Sequence, residues 1–213
     1  MQSLRYILLP ILATTLSFAQ SSGTEDRAIP GTLPSYEPIT AQQRLDWFAE
    51  SSFGPASLLG GVVSAGYGTL INRPVEYGTH WEGFGDRYGM RLTGVLTSNA
   101  LEAGLCAIWG EDPRYPRDEG KPLKNRIAHT IKWTFVAKER DGNTVPAYAL
   151  YIATAGNNFL SNTWRESSEA DTSHALERTA MGFLARLTGN TWHEFWPDVK
   201  EKLFHRNDSR GLP

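Results

Sequence analysis

Residues 81–110 read WEGFGDRYGMRLTGVLTSNALEAGLCAIWG. One set of positions in this stretch recurs at steps of three or four, a spacing typical of one side of an α-helix. Its members are Trp81, Phe84, Tyr88, Leu92, Val95, Asn99, Glu102, Cys106 and Trp109. Gly110 suits the left-handed conformation that ends many helices, and Pro113 and Pro116 do not allow the helix to resume. We therefore predict one long helix from Trp81 to about Trp109.

Helix signals occur on both sides of this segment. Thr40 is a suitable N-cap for a helix that runs to about Ser52, and Pro55 suits the first turn of the next helix. The predicted helices begin near Thr40, Pro55, Trp81, Leu123, Val145 and Glu169. The sequence thus predicts a mainly α, single-domain bundle of about six helices with Gly- and Ala-rich central helices.

Two regions carry breakers or turn signals that affect this assignment. Gly189 and Pro197 are expected to end the last long helix, leaving a short terminal helix, Asp198–Phe204, that docks through Val199 and Leu203. Asp141-Gly142-Asn143 marks a turn, so residues 130–152 are also compatible with a β-hairpin. The alanines at positions 147, 149, 153 and 155 favour two helices, with Pro146 at the start of the second.

Three segments have almost no charge: Gly54–Asn72, Leu92–Gly110 and Val145–Trp164, with Glu102 as the single exception. We expect them to form the most apolar centre of the bundle. The first is long enough to span a bilayer, but its five glycines and its polar residues dilute the hydrophobicity. A buried core helix is therefore preferred over a membrane span.

The N-terminus has the organisation of a secretory signal peptide. Arg5 precedes a short apolar run from Ile7 to Leu16, and Ser17-Phe18-Ala19 offers small residues for cleavage after Ala19. We predict a signal peptide at 1–19, a disordered leader at 20–39 and a helical domain at 40–213. The protein is expected to be exported to the periplasm or cell envelope, a location compatible with membrane association.

Composition limits the classes of function. The net charge is −2 and no long basic run follows the signal, so nucleic acid is not an expected partner. Cys106 is the only cysteine and cannot form an internal disulfide. Stability must therefore come from packing.

The candidate polar cluster is built around Glu102. Asn99 and Glu102 interrupt an apolar stripe, and a buried carboxylate needs a partner or a raised pKa. Its expected partner is Arg178, Arg186 or His129, and a structural ion pair is preferred over a catalytic or ligand site. The full candidate set is Asn99, Glu102, His129, Asn157, Asn158, Asn162 and Arg178. The three later asparagines are expected to form hydrogen bonds across the bundle, with Asn99 as a mate.

Other chemistry is weakly indicated. Glu102, His129, His174 and Glu177 suggest a metal site, but carboxylate di-metal bundles use two Glu-x-x-His pairs and this chain has one reversed copy. We expect no metal and no cofactor, and the sequence identifies no catalytic residue. His193-Glu194, beside Trp192 and Trp196, suggests a small site or, more simply, aromatic packing with a solvated histidine.

One predicted helix has a basic flank. Ile127, Ile131 and Phe135 form a stripe in the segment from Leu123, and Lys124, Arg126, His129, Lys132 and Lys138 lie beside it. This pattern is compatible with contact to anionic lipid or another acidic surface, and equally with a solvated helix face.

The motifs Trp81-Glu82-Gly83-Phe84-Gly85-Asp86-Arg87-Tyr88-Gly89, Glu111-Asp112-Pro113-Arg114-Tyr115 and Phe195-Trp196-Pro197-Asp198 resemble an uncharacterised family of exported bacterial helical proteins. The resemblance extends through Gly156-Asn157 and Ser161-Asn162. It implies an exported helical protein and no catalytic residues, because the family has no established activity.

These observations favour a non-enzymatic envelope protein that packs against, or partly inserts into, a membrane or an envelope protein partner. The alternative is a periplasmic enzyme or small-ligand-binding bundle whose site lies around Glu102. That alternative predicts that Asn99, Glu102, His129 and Asn157 converge on a cavity. The sequence leaves the oligomeric state open.

Overall fold

A computed structural model describes residues 36–204, which form one mainly α domain with six α-helices, three short 3-10 turns and a two-stranded antiparallel sheet. The helices are α1 (Ala41–Phe53), α2 (Pro55–Leu70), α3 (Trp81–Trp109), α4 (Leu123–Phe135), α5 (Tyr148–Leu160) and α6 (Thr172–Phe204). The strands are β1 (Val136–Lys138) and β2 (Thr144–Pro146). The predicted fold class is confirmed.

The local signals at helix ends act as predicted. The Thr40 hydroxyl accepts a hydrogen bond from the amide of Gln43, whose side chain accepts one in turn from the amide of Thr40. This reciprocal pair satisfies two amides that the first turn of a helix leaves without partners. Pro55 lies in the first turn of α2, and Gly110 ends α3 with φ 85° while its amide donates to Cys106.

Residues 130–152 contain both of the structures that the sequence suggested. Helix α4 ends at Phe135, and the chain then forms a short hairpin in which Val136 pairs with Pro146 and Lys138 pairs with Thr144. Helix α5 follows at Tyr148. The two predicted helices are present, but the prediction that Pro146 begins the second one is wrong, because Pro146 belongs to β2.

The predicted break in the last helix is wrong. Helix α6 runs without interruption from Thr172 to Phe204, with Pro197 inside it. Proline inside a helix costs about 3 kcal/mol because it removes one hydrogen bond and crowds the preceding turn. Here α6 is held on both sides of Pro197, since Glu194 and Asp198 both bind Arg126 of α4. The predicted docking of Val199 and Leu203 is also wrong, because both side chains are exposed.

The helices pack in a consecutive order. Helix α3 contacts α1, α2 and α5, while α5 also contacts α6, and α6 contacts α4. The order of contacts is therefore α2, α3, α5, α6 and α4, with α1 beside α2 and α3. Helices α3 and α5, which contain most of two of the three segments with little charge, lie in the middle of this order.

The interior is small and polar, which corrects the prediction of an apolar centre. Among residues 36–204, the buried apolar residues are six alanines, Cys106 and Leu150. The buried polar and charged residues are Ser52, Arg87, Glu102, Glu111, Asp112, Thr130, Thr134, Thr154, Asn157, Ser161, Asn190 and Glu194. In α2, Gly61 and Ala65 are buried, whereas Val63 is 72% and Leu70 is 85% exposed. A buried core was therefore the wrong expectation for the large side chains of α2.

None of the helices within residues 36–204 combines the length and the apolar character needed to cross a membrane.

The predicted leader overlaps the domain at its C-terminal end. The Tyr36 hydroxyl donates to the Asp112 carboxylate at 2.9 Å, and the carbonyl of Glu37 accepts from Arg114. Residues 36–39 therefore belong to the domain, which corrects the predicted boundary at residue 40. The predicted signal peptide and the remainder of the leader lie outside the described residues.

Candidate functional site

The segment that follows α3 crosses the interior of the domain. Glu111, Asp112 and Pro113 are buried directly after Gly110. The Glu111 carboxylate accepts from the amide of Ala149 at 3.2 Å, in the first turn of α5. A carboxylate there is favourable because the first amides of a helix carry partial positive charge. The amide of Asp112 donates to the carbonyl of Lys138 at 2.8 Å, which ties the same segment to β1.

Glu102 forms a buried ion pair with Arg186, one of its three expected partners. The Arg186 guanidinium donates to the Glu102 carboxylate at 2.9 Å and to the carbonyl of Pro113 at 2.9 Å. Its planar group also lies 5.5 Å from the ring centroid of Trp47. Burial raises the pKa of Glu102, and the opposing effect of Arg186 is smaller. The pair thus links α3, α6 and the segment after α3.

A cavity of about 10 Å³ adjoins this pair and is lined in part by Glu102, Cys106, Glu111, Arg186 and Asn190. That volume has room for about one water molecule. Burial raises the pKa of Glu111, and burial raises the pKa of the Cys106 thiol well above its usual range, with Glu102 and Glu111 adding to the effect. The thiol is therefore protonated at neutral pH and is a poor nucleophile. The site offers no space for an organic substrate.

The predicted asparagines and Arg178 lie between the C-terminal end of α5 and the N-terminal end of α6. The Asn157 amide donates to the carbonyl of Gly94 at 3.0 Å, which joins α5 to α3. Arg178 donates to the carbonyl of Asn158 at 3.1 Å, to the side-chain oxygen of Asn162 and to the carbonyl of Glu169 at 2.8 Å. These bonds hold helix ends together, as expected of polar groups that cross a bundle. Burial lowers the pKa of Arg178.

Asn99 and His129 belong to neither group. The Asn99 amide donates to the hydroxyl of Ser52 at 3.0 Å, which ties α3 to α1. Nε2 of His129 lies 2.6 Å from the carbonyl of Pro116, and Nδ1 lies 3.6 Å from the Asp118 carboxylate. Of the four residues predicted to converge, only Glu102 lines the cavity. The prediction of one shared cavity is wrong, and so is the pairing of Asn99 with Asn157.

The residues considered for a metal site are also apart. His174 binds Asp171 at 2.7 Å and Glu177 binds Arg73 at 3.1 Å, while Glu102 and His129 have the partners described above. Within residues 36–204, no group of three or more His, Cys, Asp or Glu side chains is arranged to hold a metal ion.

A further buried carboxylate, Glu194, was not recognised as buried from the sequence. It is fully buried and accepts from Arg126 at 2.5 Å, from the Tyr115 hydroxyl at 2.9 Å and from the amide of Asp118 at 3.1 Å. Burial opposes its charge, but these three donors together hold the pKa of Glu194 below its usual value. Burial, more than the nearby Glu194, raises the pKa of Tyr115 to about 12, so the phenol acts as a donor.

A spacing signal for this network was present in α6. The residues at steps of four are Arg178, Gly182, Arg186, Asn190, Glu194 and Asp198. Each of the five polar members binds another helix or the segment after α3, and Asn190 donates to the hydroxyl of Thr134 at 3.1 Å. The inward side of α6 is therefore its polar side.

The outer surface has the opposite character. Among the described residues, 29 large apolar or aromatic side chains are exposed, and every helix carries some of them. In α5, for example, Tyr148, Ile152 and Phe159 are exposed while Ala149, Ala153 and Asn157 are buried. Small residues at helix contacts with polar groups between the helices are typical of packing in apolar surroundings.

Fold and site together define a mainly α domain with a hydrogen-bonded polar interior and many large apolar side chains exposed on its surface. The chain matches no protein-family model, no curated protein and no solved structure.

Proposed function

We propose that the protein is an exported, non-enzymatic component of the cell envelope whose apolar outer surface packs against a membrane or a protein partner. The observation that carries this proposal is the distribution of apolar side chains, with 29 large ones exposed and only eight apolar residues buried in the described part of the chain. Water-soluble monomers rarely expose apolar patches larger than a few hundred Å². Export rests on the signal peptide predicted at 1–19 and on the resemblance to exported proteins.

The polar interior supports a structural role for the buried charges. Glu102 pairs with Arg186, and Glu194 pairs with Arg126. Charges inside a bundle that pair with each other hold helices in register without requiring water. Such pairs stabilise the interior while the apolar side chains remain available on the outside.

The alternative of an enzyme or ligand-binding bundle centred on Glu102 has less support. Small-molecule sites enclose roughly 300–1,000 Å³, whereas the cavity beside Glu102 measures about 10 Å³. The Glu102 carboxylate is occupied by Arg186, and the Cys106 thiol is protonated.

Fractionation of the full chain tests the proposal. The chain is expressed with its own N-terminus, and the mass of the mature product shows whether cleavage follows Ala19. We expect the protein in the envelope fraction, resistant to osmotic shock and released by mild detergent. Recovery as a freely soluble monomer after osmotic shock, without detergent, would refute the proposal.

A pair of α2 variants tests whether the exposed apolar side chains hold the protein in the envelope fraction. Val63 and Leu70 are highly exposed, so Val63→Gln with Leu70→Gln is compatible with the fold. The double variant is expected to move toward the soluble fraction. The control, Ser64→Gln, changes an exposed polar residue of the same helix and should leave the distribution unchanged.

A further inference from the structure

We infer that α4 is the surface through which the protein binds an anionic lipid bilayer, with its apolar stripe among the lipid chains and its lysines at the headgroup phosphates. This inference rests on the proposed function and names the partner. The stripe consists of Leu123, Ile127, Ile131 and Phe135, and the lysines are Lys124 and Lys132.

The stripe of α4 is exposed although it is the most apolar part of the helix. Leu123 is 64%, Ile127 46%, Ile131 49% and Phe135 43% exposed. The fully covered positions of the same helix are Thr130 and Thr134. An amphipathic helix on a water-soluble protein has the reverse arrangement, with its apolar positions covered.

Polar contacts fix this orientation of α4 against α6. Arg126 donates to the Glu194 carboxylate and to the Glu194 carbonyl, and its guanidinium lies 4.6 Å from the ring centroid of Phe195. Thr134 accepts from Asn190 at 3.1 Å. The outward position of the stripe therefore follows from a buried network on α6.

The charge next to the stripe is positive. No acidic residue occurs between Lys121 and Lys138. Lys124 and Lys132 are exposed, and neither has a carboxylate partner within residues 36–204. The other cations are engaged, because Arg126 binds Glu194, Lys138 binds the carbonyl of Gly142 and Lys121 binds Asp118.

An apolar stripe beside unpaired lysines matches the chemistry of an anionic membrane surface. Helices of this kind lie in the plane of the interface, and their affinity combines buried apolar area with attraction to anionic headgroups.

Vesicle flotation with the purified full-length mature protein tests the inference. The vesicles contain either phosphatidylcholine alone or phosphatidylcholine with about one quarter phosphatidylglycerol, each at low and high salt. We expect tighter binding to the anionic vesicles, with the preference reduced by salt because screening weakens the attraction. Equal binding to both vesicles, or binding to neither, would overturn the inference.

Two charge-reversal variants with the same change in net charge locate the surface. Lys124→Glu with Lys132→Glu is expected to weaken binding to anionic vesicles by about 25-fold or more, since each lysine near an anionic surface contributes about fivefold and the new carboxylates add repulsion. Lys200→Glu with Lys202→Glu reverses two exposed lysines at the end of α6 and should change binding by less than about threefold. Circular dichroism verifies the helix content of both. Equal losses in the two variants would contradict a surface at α4.

A third variant separates the apolar contribution from the charge. Ile127→Ser with Ile131→Ser retains both lysines and should weaken binding to anionic vesicles at low and at high salt. Wild-type binding by this variant would refute insertion of the stripe. If the wild-type protein does not bind vesicles but remains in the envelope fraction, the lipid inference is refuted and the result points to a protein partner. Release by osmotic shock would refute the proposed function itself.

Discussion

Replacement of Arg186 by methionine is the most direct test of the buried ion pair. Met retains an unbranched apolar stem of similar reach but removes the donors to the Glu102 carboxylate and to the Pro113 carbonyl, each bonded at 2.9 Å. Glu102 is only 3% exposed, so water cannot replace the lost partner easily. The variant leaves a carboxyl group in the interior without its cation.

The expected cost depends on pH. Removal of one partner of a buried pair costs about 3–5 kcal/mol when the remaining group stays charged. Burial raises the pKa of Glu102 above its ordinary 4.5 even with Arg186 present, and the loss of the cation raises it further. Protonation of Glu102 then limits the loss of stability at low pH. As pH rises, this loss grows by about 1.4 kcal/mol for each unit by which the pKa of Glu102 in the folded variant exceeds its ordinary value. We expect losses of about 2 kcal/mol at pH 5 and about 4 kcal/mol at pH 8.

The assay is urea unfolding followed by tryptophan fluorescence, at both pH values and in one mild detergent for all variants. Arg73→Met is the control, because Arg73 is a half-exposed cation whose pairs with Glu169 and Glu177 should contribute less than about 1 kcal/mol. The double variant Glu102→Gln with Arg186→Met removes both charges of this pair and should lose most of the pH dependence that Arg186→Met shows. Equal losses in Arg186→Met and Arg73→Met, or a loss that does not change with pH, would refute the reasoning.

Three further predictions concern other parts of the domain. Glu194→Gln should lower the free energy of unfolding by about 2–3 kcal/mol at pH 7. The pKa of Glu194 is held below its ordinary 4.5, so the stability that the Glu194 carboxylate contributes disappears as pH falls. The urea midpoints of the variant and the wild type should therefore approach each other near about pH 3. Gly83→Ala places a Cβ 2.0 Å from the carbonyl oxygen of Tyr77 and should lower the thermal midpoint. The control, Gly89→Ala, has open space around its Cβ and should raise the stability by about 1 kcal/mol. Equal thermal midpoints for the two variants would contradict the packing of α3. Thr40→Ala removes the cap of α1 and should cost about 1 kcal/mol in urea unfolding.

Features fixed by neighbouring residues were predictable from the sequence. Thr40 and Gln43 cap α1 through each other, and Gly110 ends α3 through its own backbone conformation, so neither depends on distant contacts. The continuity of α6 through Pro197 was not predictable in this way. It depends on Arg126, which is far away in sequence and binds α6 on both sides of the proline.

The polar site was only partly predictable, for a related reason. Periodicity shows which residues share a helix face, but it does not show which face is covered. The step-of-four pattern from Arg178 to Asp198 was present in the sequence. Charged and amide side chains are usually exposed to solvent, however, so the pattern alone predicts a solvated face. The pairing of Glu102 with an arginine was expected from the cost of burying a lone carboxylate. That Glu102, His129 and Asn157 lie in separate places could be seen only once the order in which the helices pack was known.

The reversed distribution of polar and apolar residues has an energetic consequence. Burial of alanine side chains removes little apolar area from water, so six buried alanines supply only a small part of the hydrophobic stabilisation that a domain of this length needs. Close contact through small residues and the Glu102–Arg186 and Glu194–Arg126 pairs therefore add to the packing of half-buried side chains such as Phe183. Competition from water weakens such polar contacts, and apolar surroundings strengthen them. If lipid covers the outside of the domain, as we propose, it also strengthens the Glu102–Arg186 and Glu194–Arg126 pairs inside.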